Sequence, residues 1–185
     1  MNYRHAYHAG NFADVMKHSI LARAILRLTA KAAAFRVIDT HAGIGLYDLG
    51  SIHAEMTGEW KAGIGQLFDA TGPLAMPAAV ASLLQPYLEA VAQVNAKGTF
   101  TRYPGSPTIA RSLLRRQDRL VLSELHPADA AALADEFRGD QNVKVHALDG
   151  WLALKAFLPP KERRGLILID PPFEARDEFM RLYRG

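Results

Sequence analysis

The pattern of apolar and polar positions predicts four short buried strands with helices between them. The strands are runs of leucine and β-branched residues, and each ends at an acidic residue or just before one; they cover Phe35–Thr40, Arg119–Glu124, Val143–Asp149 and Gly165–Asp170. Apolar residues at helical spacing predict helices over roughly Phe12–Ala32 (with Asn11 as N-cap), Thr108–Arg116, Pro127–Phe137 and Gly150–Phe157. Strands that alternate with helices predict an α/β fold with a doubly wound parallel sheet.

The segment between the first two strands is far longer than a crossover connection needs. It carries apolar residues at helical spacing: Leu83, Leu84, Tyr87, Leu88, Val91 and Val94. We therefore expect residues 48–100 to form a helical insertion, and residues 1–47 and 101–185 to form the core with an N-terminal tail and helix.

Composition narrows the class of protein only modestly. The chain has 185 residues, no cysteine and a net charge of +3, and it contains no run of 18 apolar residues. A cytoplasmic, globular protein that tolerates nucleic acid fits these values, and we expect neither a membrane span nor a secretory signal. His5 and His8 lack the partners of a tetrahedral site, so no metal is expected.

Candidate chemistry lies where the predicted strands end, at Asp39, Glu124, Asp149 and Asp170. Open parallel sheets bind ligands at the carboxyl ends of their strands. Glu124 is placed to accept from ribose hydroxyls and Asp149 from an adenine amino group. The turn after Asp39 includes Gly43 but no phosphate-binding lysine follows, so the predicted cofactor is a nucleoside without phosphates, S-adenosyl-L-methionine. The alternative is that these residues merely cap helices.

The most specific motif is Asp170-Pro171-Pro172-Phe173, directly after an apolar strand. The strand fixes the carboxylate, the prolines remove N–H donors and leave carbonyl acceptors, and the ring offers a flat face. This combination suits an exocyclic amino group and indicates amino methylation of adenine, cytosine or glutamine. The alternative is a strand followed by a proline-rich turn.

With these motifs, the chain resembles the RlmJ-type 23S ribosomal RNA adenine-N6 methyltransferases. The similarity lies in Tyr3–His18, Asp39–Gly43, Thr57–Glu59, Tyr103–Pro107, Glu124–Pro127 and Asp170–Pro172. The resemblance implies a class I, Rossmann-like sheet and transfer of a methyl group to N6 of an adenine in large-subunit ribosomal RNA. Members of the family are usually longer, and a seven-stranded sheet would need three more strands after Asp170. We therefore expect a sheet that is incomplete at its C-terminal end.

The resemblance also implies roles for individual residues. His18, His41, Ser106, Glu124, Asp149 and Gly150 would contact the cofactor, with Lys17 beside its pocket and with Asp39 and Gly43 in the first turn. Asp170 would be the catalytic carboxylate, assisted by Pro171 and Phe173, which stands where tyrosine is usual. Tyr3 and His5 would meet the RNA.

Other functions stay open at this point. The Asp-Pro-Pro-aromatic motif does not distinguish ribosomal RNA from DNA adenine or another nucleic acid. A non-catalytic RNA-binding or assembly module also fits the chain. A nicotinamide-dependent dehydrogenase fits less well, because the full glycine fingerprint is lacking.

Overall fold

The computed structural model describes residues 5–173 and 178–184; Tyr3, a predicted RNA contact, lies outside them. The described chain forms two compact units. Of the described residues, one unit comprises Leu28–Ile44 and those from Leu114 onward, and the other comprises residues 5–27 together with Gly45–Leu113. The division predicted at residues 48–100 stays a prediction.

The predicted strands and helices are present, with ends that shift by a few residues. In chain order the elements are a 3-10 turn at His5–Tyr7, α1 (Phe12–Thr29), β1 (Arg36–Asp39), β2 (Leu46–Asp48), α2 (Ile52–Thr57), α3 (Glu59–Ala62), a 3-10 turn at Ile64–Gln66, β3 (Phe68–Asp69), β4 (Gly72–Pro73), α4 (Ala78–Gln93), β5 (Arg102–Pro104), α5 (Ser106–Leu113), β6 (Arg119–Ser123), α6 (Pro127–Glu136), β7 (Val143–His146), α7 (Gly150–Phe157), β8 (Gly165–Leu168) and α8 (Glu178–Arg184). No helix among these is long and apolar enough to cross a bilayer.

Within the described residues, the first unit is built on a parallel sheet with strand order β7-β6-β1-β8. Val37 and Ile38 of β1 and Leu120 and Leu122 of β6 are at most 1% exposed, as expected for strands covered on both faces. The chain runs from β1 outward to β6 and β7, and then returns to β8 on the other side of β1. The predicted α/β fold is confirmed, and its topological switch point lies between β1 and β8.

An ion pair between a partly exposed arginine and a buried carboxylate fixes the start of β1. The Asp118 carboxylate, fully buried, accepts from the Phe35 backbone N–H at 3.2 Å and from Arg115 Nε at 2.9 Å. The same guanidinium donates to the carbonyl oxygens of Thr29 at 3.1 Å and Lys31 at 2.8 Å, and so satisfies acceptors at the end of α1. This pair connects the end of α1 to the strand that carries the first candidate site residue.

The second unit combines helices with short antiparallel strand pairs, β2 with β5 and β3 with β4. Its core includes Ile64, Tyr87, Val91, Tyr103 and Ile109, all fully buried. The apolar residues at helical spacing in the predicted insertion lie on or next to α4, which spans 16 residues. The short strand pairs were not predicted.

The first half of helix α1 buries a different face from the one that its apolar residues suggest, whereas Leu21, Ala22 and Ile25 are buried farther along the helix. Phe12, Met16 and Ile20 are 76%, 68% and 59% exposed, whereas Asp14 and His18 are each 1% exposed. Asn11 caps the helix as predicted, because its side-chain oxygen accepts from the Asp14 backbone N–H at 3.0 Å. A polar row of α1 is therefore part of the core.

Candidate active site

The predicted acidic residues follow the carboxyl ends of the parallel strands in the first unit. Asp39 is the last residue of β1, Glu124 follows β6, Asp149 follows β7 and Asp170 follows β8. Because these strands are parallel, their carboxyl ends share one edge of the sheet. Asp39 and Asp170 belong to the two strands that flank the switch point.

Thr40 ties the end of β1 to the end of β8. Its backbone N–H and its hydroxyl both donate to the Leu168 carbonyl oxygen, at 3.1 and 3.0 Å. The hydroxyl oxygen also lies 2.8 Å from Nδ1 of His41. A hydroxyl has one hydrogen, and with that hydrogen directed to the carbonyl oxygen the imidazole donates from Nδ1. His41 therefore presents Nε2 as its acceptor nitrogen.

Electrostatics favour the neutral form of this imidazole. Burial lowers the pKa of His41, and the negative charges of Asp170 and Asp149 oppose that effect without cancelling it. A histidine with a lowered pKa is uncharged at neutral pH. His41 is thus a neutral side chain that lies in the field of two candidate site carboxylates.

Glu124 holds the glycine turn that follows β1. Its Oε2 accepts from the Gly43 backbone N–H at 2.9 Å, and its Oε1 accepts from the His126 backbone N–H at 2.8 Å. Gly43 has φ +62°, a left-handed conformation that glycine adopts without strain. An ionised carboxylate has about four acceptor sites, so Glu124 retains capacity for a ligand.

Asp149 and Gly150 join α7 to the turn after β1. Asp149 Oδ1 caps the helix by accepting from the backbone N–H groups of Trp151 at 3.0 Å and Leu152 at 3.1 Å. Asp149 therefore does cap a helix, which was the alternative explanation for the strand-end acidic residues. These hydrogen bonds use only its Oδ1. A Cβ on Gly150 would lie 2.5 Å from the Thr40 carbonyl oxygen, so only glycine permits this approach.

The Asp170-Pro171-Pro172-Phe173 segment ends in a strained residue. Pro171 is buried, whereas Phe173 is 46% exposed and has φ +55°. A left-handed conformation costs a non-glycine residue about 1–3 kcal/mol, and such strain clusters at functional sites. One neighbour of the Phe173 ring is Phe179, with ring centroids 4.9 Å apart.

The remaining predicted site residues lie in the second unit. His18 is 1% exposed, and its Nδ1 lies 2.7 Å from the Tyr103 hydroxyl. Ser106 is buried at the start of α5. His5 and Lys17 both bond the buried carboxylate of Asp14, at 2.9 Å each. The structure thus gathers the strand-end residues in one unit and His5, Lys17 and His18 around α1 in the other.

Several residues of these sites escaped the sequence interpretation. Thr40 was seen only as part of a motif, because its role depends on the pairing of β1 with β8. Asp14 offered a signal that was missed: Lys17 and His18 follow it at i+3 and i+4, which places basic groups beside it on one helix face. Within residues 5–173 and 178–184, no three His, Asp or Glu side chains cluster as metal ligands.

Known proteins resemble this chain over most of its length. The family model for ribosomal RNA large subunit methyltransferase D, RlmJ, matches residues 32–185. Ribosomal RNA large subunit methyltransferase J of Escherichia coli (strain K12) is 46% identical over 185 residues, which are 100% of this chain and 64% of that protein. Its namesake from Haemophilus influenzae is 46% identical over 180 residues, 97% of this chain and 62% of that protein.

A solved structure supports the same relation. The crystal structure of protein LPL1258 from Legionella pneumophila str. Philadelphia 1 is 38% identical, with a TM-score of 0.80, over 94% of this chain and 61% of that one. The chain therefore spans less than two thirds of the length of these relatives. The resemblance that the motifs indicated is confirmed, and the chain belongs to the RlmJ family of ribosomal RNA large subunit methyltransferases.

Proposed function

We propose that this chain transfers a methyl group from S-adenosyl-L-methionine to N6 of an adenine in large-subunit ribosomal RNA. The observation that carries the proposal is Asp170-Pro171-Pro172-Phe173 at the end of β8, beside the switch point of the sheet. Family membership supports the reaction class, because the curated relatives are named as ribosomal RNA large subunit methyltransferases. Activity on ribosomal RNA would place the protein in the cytoplasm.

Asp170 and the carbonyl oxygen of Pro171 would accept the two hydrogens of the adenine amino group. These bonds draw the nitrogen lone pair out of conjugation with the ring and aim it along one direction. The amino nitrogen is barely basic, so Asp170 orients it and takes the proton that it loses, without acting as a strong base beforehand. The contribution of these groups is mainly positioning.

Phe173 would hold the target base by stacking. The base must leave its own stack, at a cost of a few kcal/mol, and stacking on an aromatic side chain returns about 1–3 kcal/mol. The exposed 46% of Phe173 and its strained backbone support a surface presented to a ligand. Phenylalanine keeps the stacking face that tyrosine supplies in other members of the family and lacks only the hydroxyl.

The donor supplies an electrophilic methyl carbon on a sulfonium, and residues of the first unit fit its nucleoside part. Glu124 retains acceptor capacity for ribose hydroxyls, and the hydrogen bonds described for Asp149 leave Oδ2 for an adenine amino group. Gly43 and Gly150 would admit the ligand close to the backbone, beside Asp39 and His41. For His18, Lys17 and Ser106, donor contact is proposed on the family resemblance alone.

The test is methyl transfer from labelled S-adenosyl-L-methionine to protein-free, unmodified large-subunit ribosomal RNA, with the nucleoside product identified by mass spectrometry. We expect N6-methyladenosine from the parent chain and none from Asp170→Asn, while donor affinity measured by calorimetry changes less than about threefold. Phe173→Ala should lower kcat/KM for RNA about 5- to 150-fold, the equivalent of 1–3 kcal/mol, and Phe173→Tyr should not.

Three results would contradict this proposal. Loss of donor binding together with activity in Asp170→Asn would mean that Asp170 holds the donor. Equal transfer to DNA of the same sequence would favour the broader nucleic-acid methyltransferase. A folded parent chain that binds RNA without forming product would favour the non-catalytic binding module.

A further inference from the structure

The second unit contains a buried carboxylate that the proposed reaction does not use. Asp14, on the first turn of α1, is 1% exposed. Its Oδ2 accepts from Nε2 of His5 and from the Gly10 backbone N–H, each at 2.9 Å, and its Oδ1 accepts from Nζ of Lys17 at 2.9 Å. One carboxylate therefore bonds the 3-10 turn before the helix, the loop between them and the helix itself.

The charges around Asp14 keep it ionised. Burial raises its pKa, but the positive charges of His18, His5 and Lys17, with the hydrogen bond from His5, outweigh burial and hold the pKa well below its usual range. His18 Nε2 lies 3.9 Å from Oδ1. If the charge of a buried carboxylate is removed, each of its basic partners is left without the opposite charge that stabilised it.

The network continues into the core of the unit. Nδ1 of His18 lies 2.7 Å from the Tyr103 hydroxyl, which lies 3.2 Å from the Tyr87 hydroxyl. Burial raises the pKa of both tyrosines, so the phenols stay neutral. At its inner end the network therefore contacts fully buried tyrosine rings from β5 and α4.

The other end of the network reaches solvent. The side chains of His5 and Lys17 are 23% and 21% exposed, although the carboxylate that both of them bond is buried. These are the same two residues that the family resemblance assigns to the RNA and to the surroundings of the donor. Apolar residues could have stabilised this part of the core. They could not have bonded two partly exposed basic side chains, as the carboxylate does.

We propose that Asp14 is a positioning residue for methyl transfer, because its carboxylate holds the His5 imidazole and the Lys17 ammonium in the orientation in which they meet the RNA substrate and the donor. This inference rests on the proposed function. It extends that function to a residue that contacts neither ligand.

Asp14→Asn tests the inference, since the amide keeps the shape of the side chain but lacks the charge, and it leaves the Gly10 N–H with only a neutral, weaker acceptor. Glu59→Gln is the matched control. Glu59 also bonds the N-terminal segment, at 3.0 Å to both His8 and Asn11, and none of its described bonds goes to His5 or Lys17. We expect kcat/KM for RNA to fall at least 30-fold in Asp14→Asn and less than threefold in Glu59→Gln, with both proteins folded by circular dichroism.

A double-mutant cycle separates positioning from a general structural defect. If Asp14 acts through His5, the losses caused by Asp14→Asn and His5→Gln must not multiply, because the second change removes a contact that is already lost. Multiplied losses, or equal losses in Asp14→Asn and Glu59→Gln, would overturn the inference. If Asp14→Asn does not fold, His5→Gln and Lys17→Met replace it. A parent-like kcat/KM in both variants would overturn the inference.

A second measurement keeps this inference distinct from the proposed function. A parent chain without methyl transfer contradicts the proposed function. In that case amide hydrogen exchange at Gly10, whose N–H bonds Asp14, decides the inference without any activity. Exchange at least tenfold faster in Asp14→Asn than in Glu59→Gln would support it, and equal exchange would overturn it.

Discussion

The Thr40 hydroxyl connects the paired strands β1 and β8 to the imidazole of His41. The effect of removing this hydroxyl on the free energy of unfolding can be calculated from its hydrogen bonds. Thr40→Val replaces the hydroxyl with a methyl group of similar size at a site that is 1% exposed. The Leu168 carbonyl oxygen keeps its bond from the backbone N–H at 3.1 Å, so the loss there is one ordinary hydrogen bond, about 0.5–1.5 kcal/mol.

A second loss of similar size falls on His41. Its Nδ1–H has the Thr40 hydroxyl as acceptor at 2.8 Å, and a donor left unsatisfied in a partly buried position costs about 1–3 kcal/mol. Because the imidazole is only partly buried, and can change tautomer, the lower part of this range applies. We expect the free energy of unfolding to fall by about 2 kcal/mol in total, which corresponds to about 4–8 °C in Tm for a chain of this size.

Two measurements check this reasoning. Urea unfolding gives the stability change, and nitrogen NMR of the imidazole reports which ring nitrogen carries the proton. The parent and Thr40→Ser, which keeps the hydroxyl, should both show the proton on Nδ1, whereas Thr40→Val should lose that preference. An unchanged tautomer in Thr40→Val would refute the assignment of hydrogen-bond direction, and an unchanged stability would refute the bond energies.

Other predictions follow from contacts on either side of this region. Gly150→Ala should lower the free energy of unfolding by about 2 kcal/mol in urea titrations and should weaken donor binding, because the new Cβ would lie 2.5 Å from a backbone carbonyl oxygen. Gly50→Ala is the control, since its Cβ would meet only one atom, at 3.4 Å, and it should change neither quantity. Asp118→Ala should lower the free energy of unfolding by about 3 kcal/mol in the same assay, since it removes a fully buried carboxylate from its arginine. Asp135→Ala should have little effect on that free energy, because the Asp135 ion pair is mostly exposed. The folded pKa of Asp14 lies well below its unfolded value near 3.9, so its stabilisation is complete above the unfolded pKa and is lost as the pH falls from there through the folded pKa. The stability difference between the parent and Asp14→Asn should therefore shrink steadily as the pH falls below about 5, and a constant difference would contradict a lowered pKa of Asp14.

Local pattern was sufficient to predict the strands of the parallel sheet. A short apolar run bounded by an acidic residue is visible in one dimension, and parallel pairing then brings the ends of such strands to one edge. Asp39, Glu124, Asp149 and Asp170 could be placed there because each position depends only on its own strand. The same reasoning could not reach Thr40, whose importance comes from a carbonyl oxygen 128 positions later in the chain.

Helix α1 shows why the second unit was harder to predict. Its apolar residues Phe12, Met16 and Ile20 mark a helix correctly, but they mark the exposed face. The buried face carries Asp14 and His18, which the hydrophobic period treats as polar. Their burial is possible only because their partners include a tyrosine hydroxyl far along the chain, and no local pattern reports such a partner.

The hydrogen bonds of the strand-end carboxylates affect how binding measurements must be interpreted. Glu124 fixes the Gly43 turn and Asp149 caps α7, so both residues hold the loops of the first unit with the same carboxylates that are proposed to meet the donor. Loops fixed in this way lower the ordering cost of binding, because less conformational freedom is lost when a ligand arrives. Replacing either carboxylate with alanine would remove a ligand contact and release a loop together. A loss of donor affinity would then exceed the contact energy, and the amide variants Glu124→Gln and Asp149→Asn, which keep acceptor oxygens for the backbone, separate the two contributions.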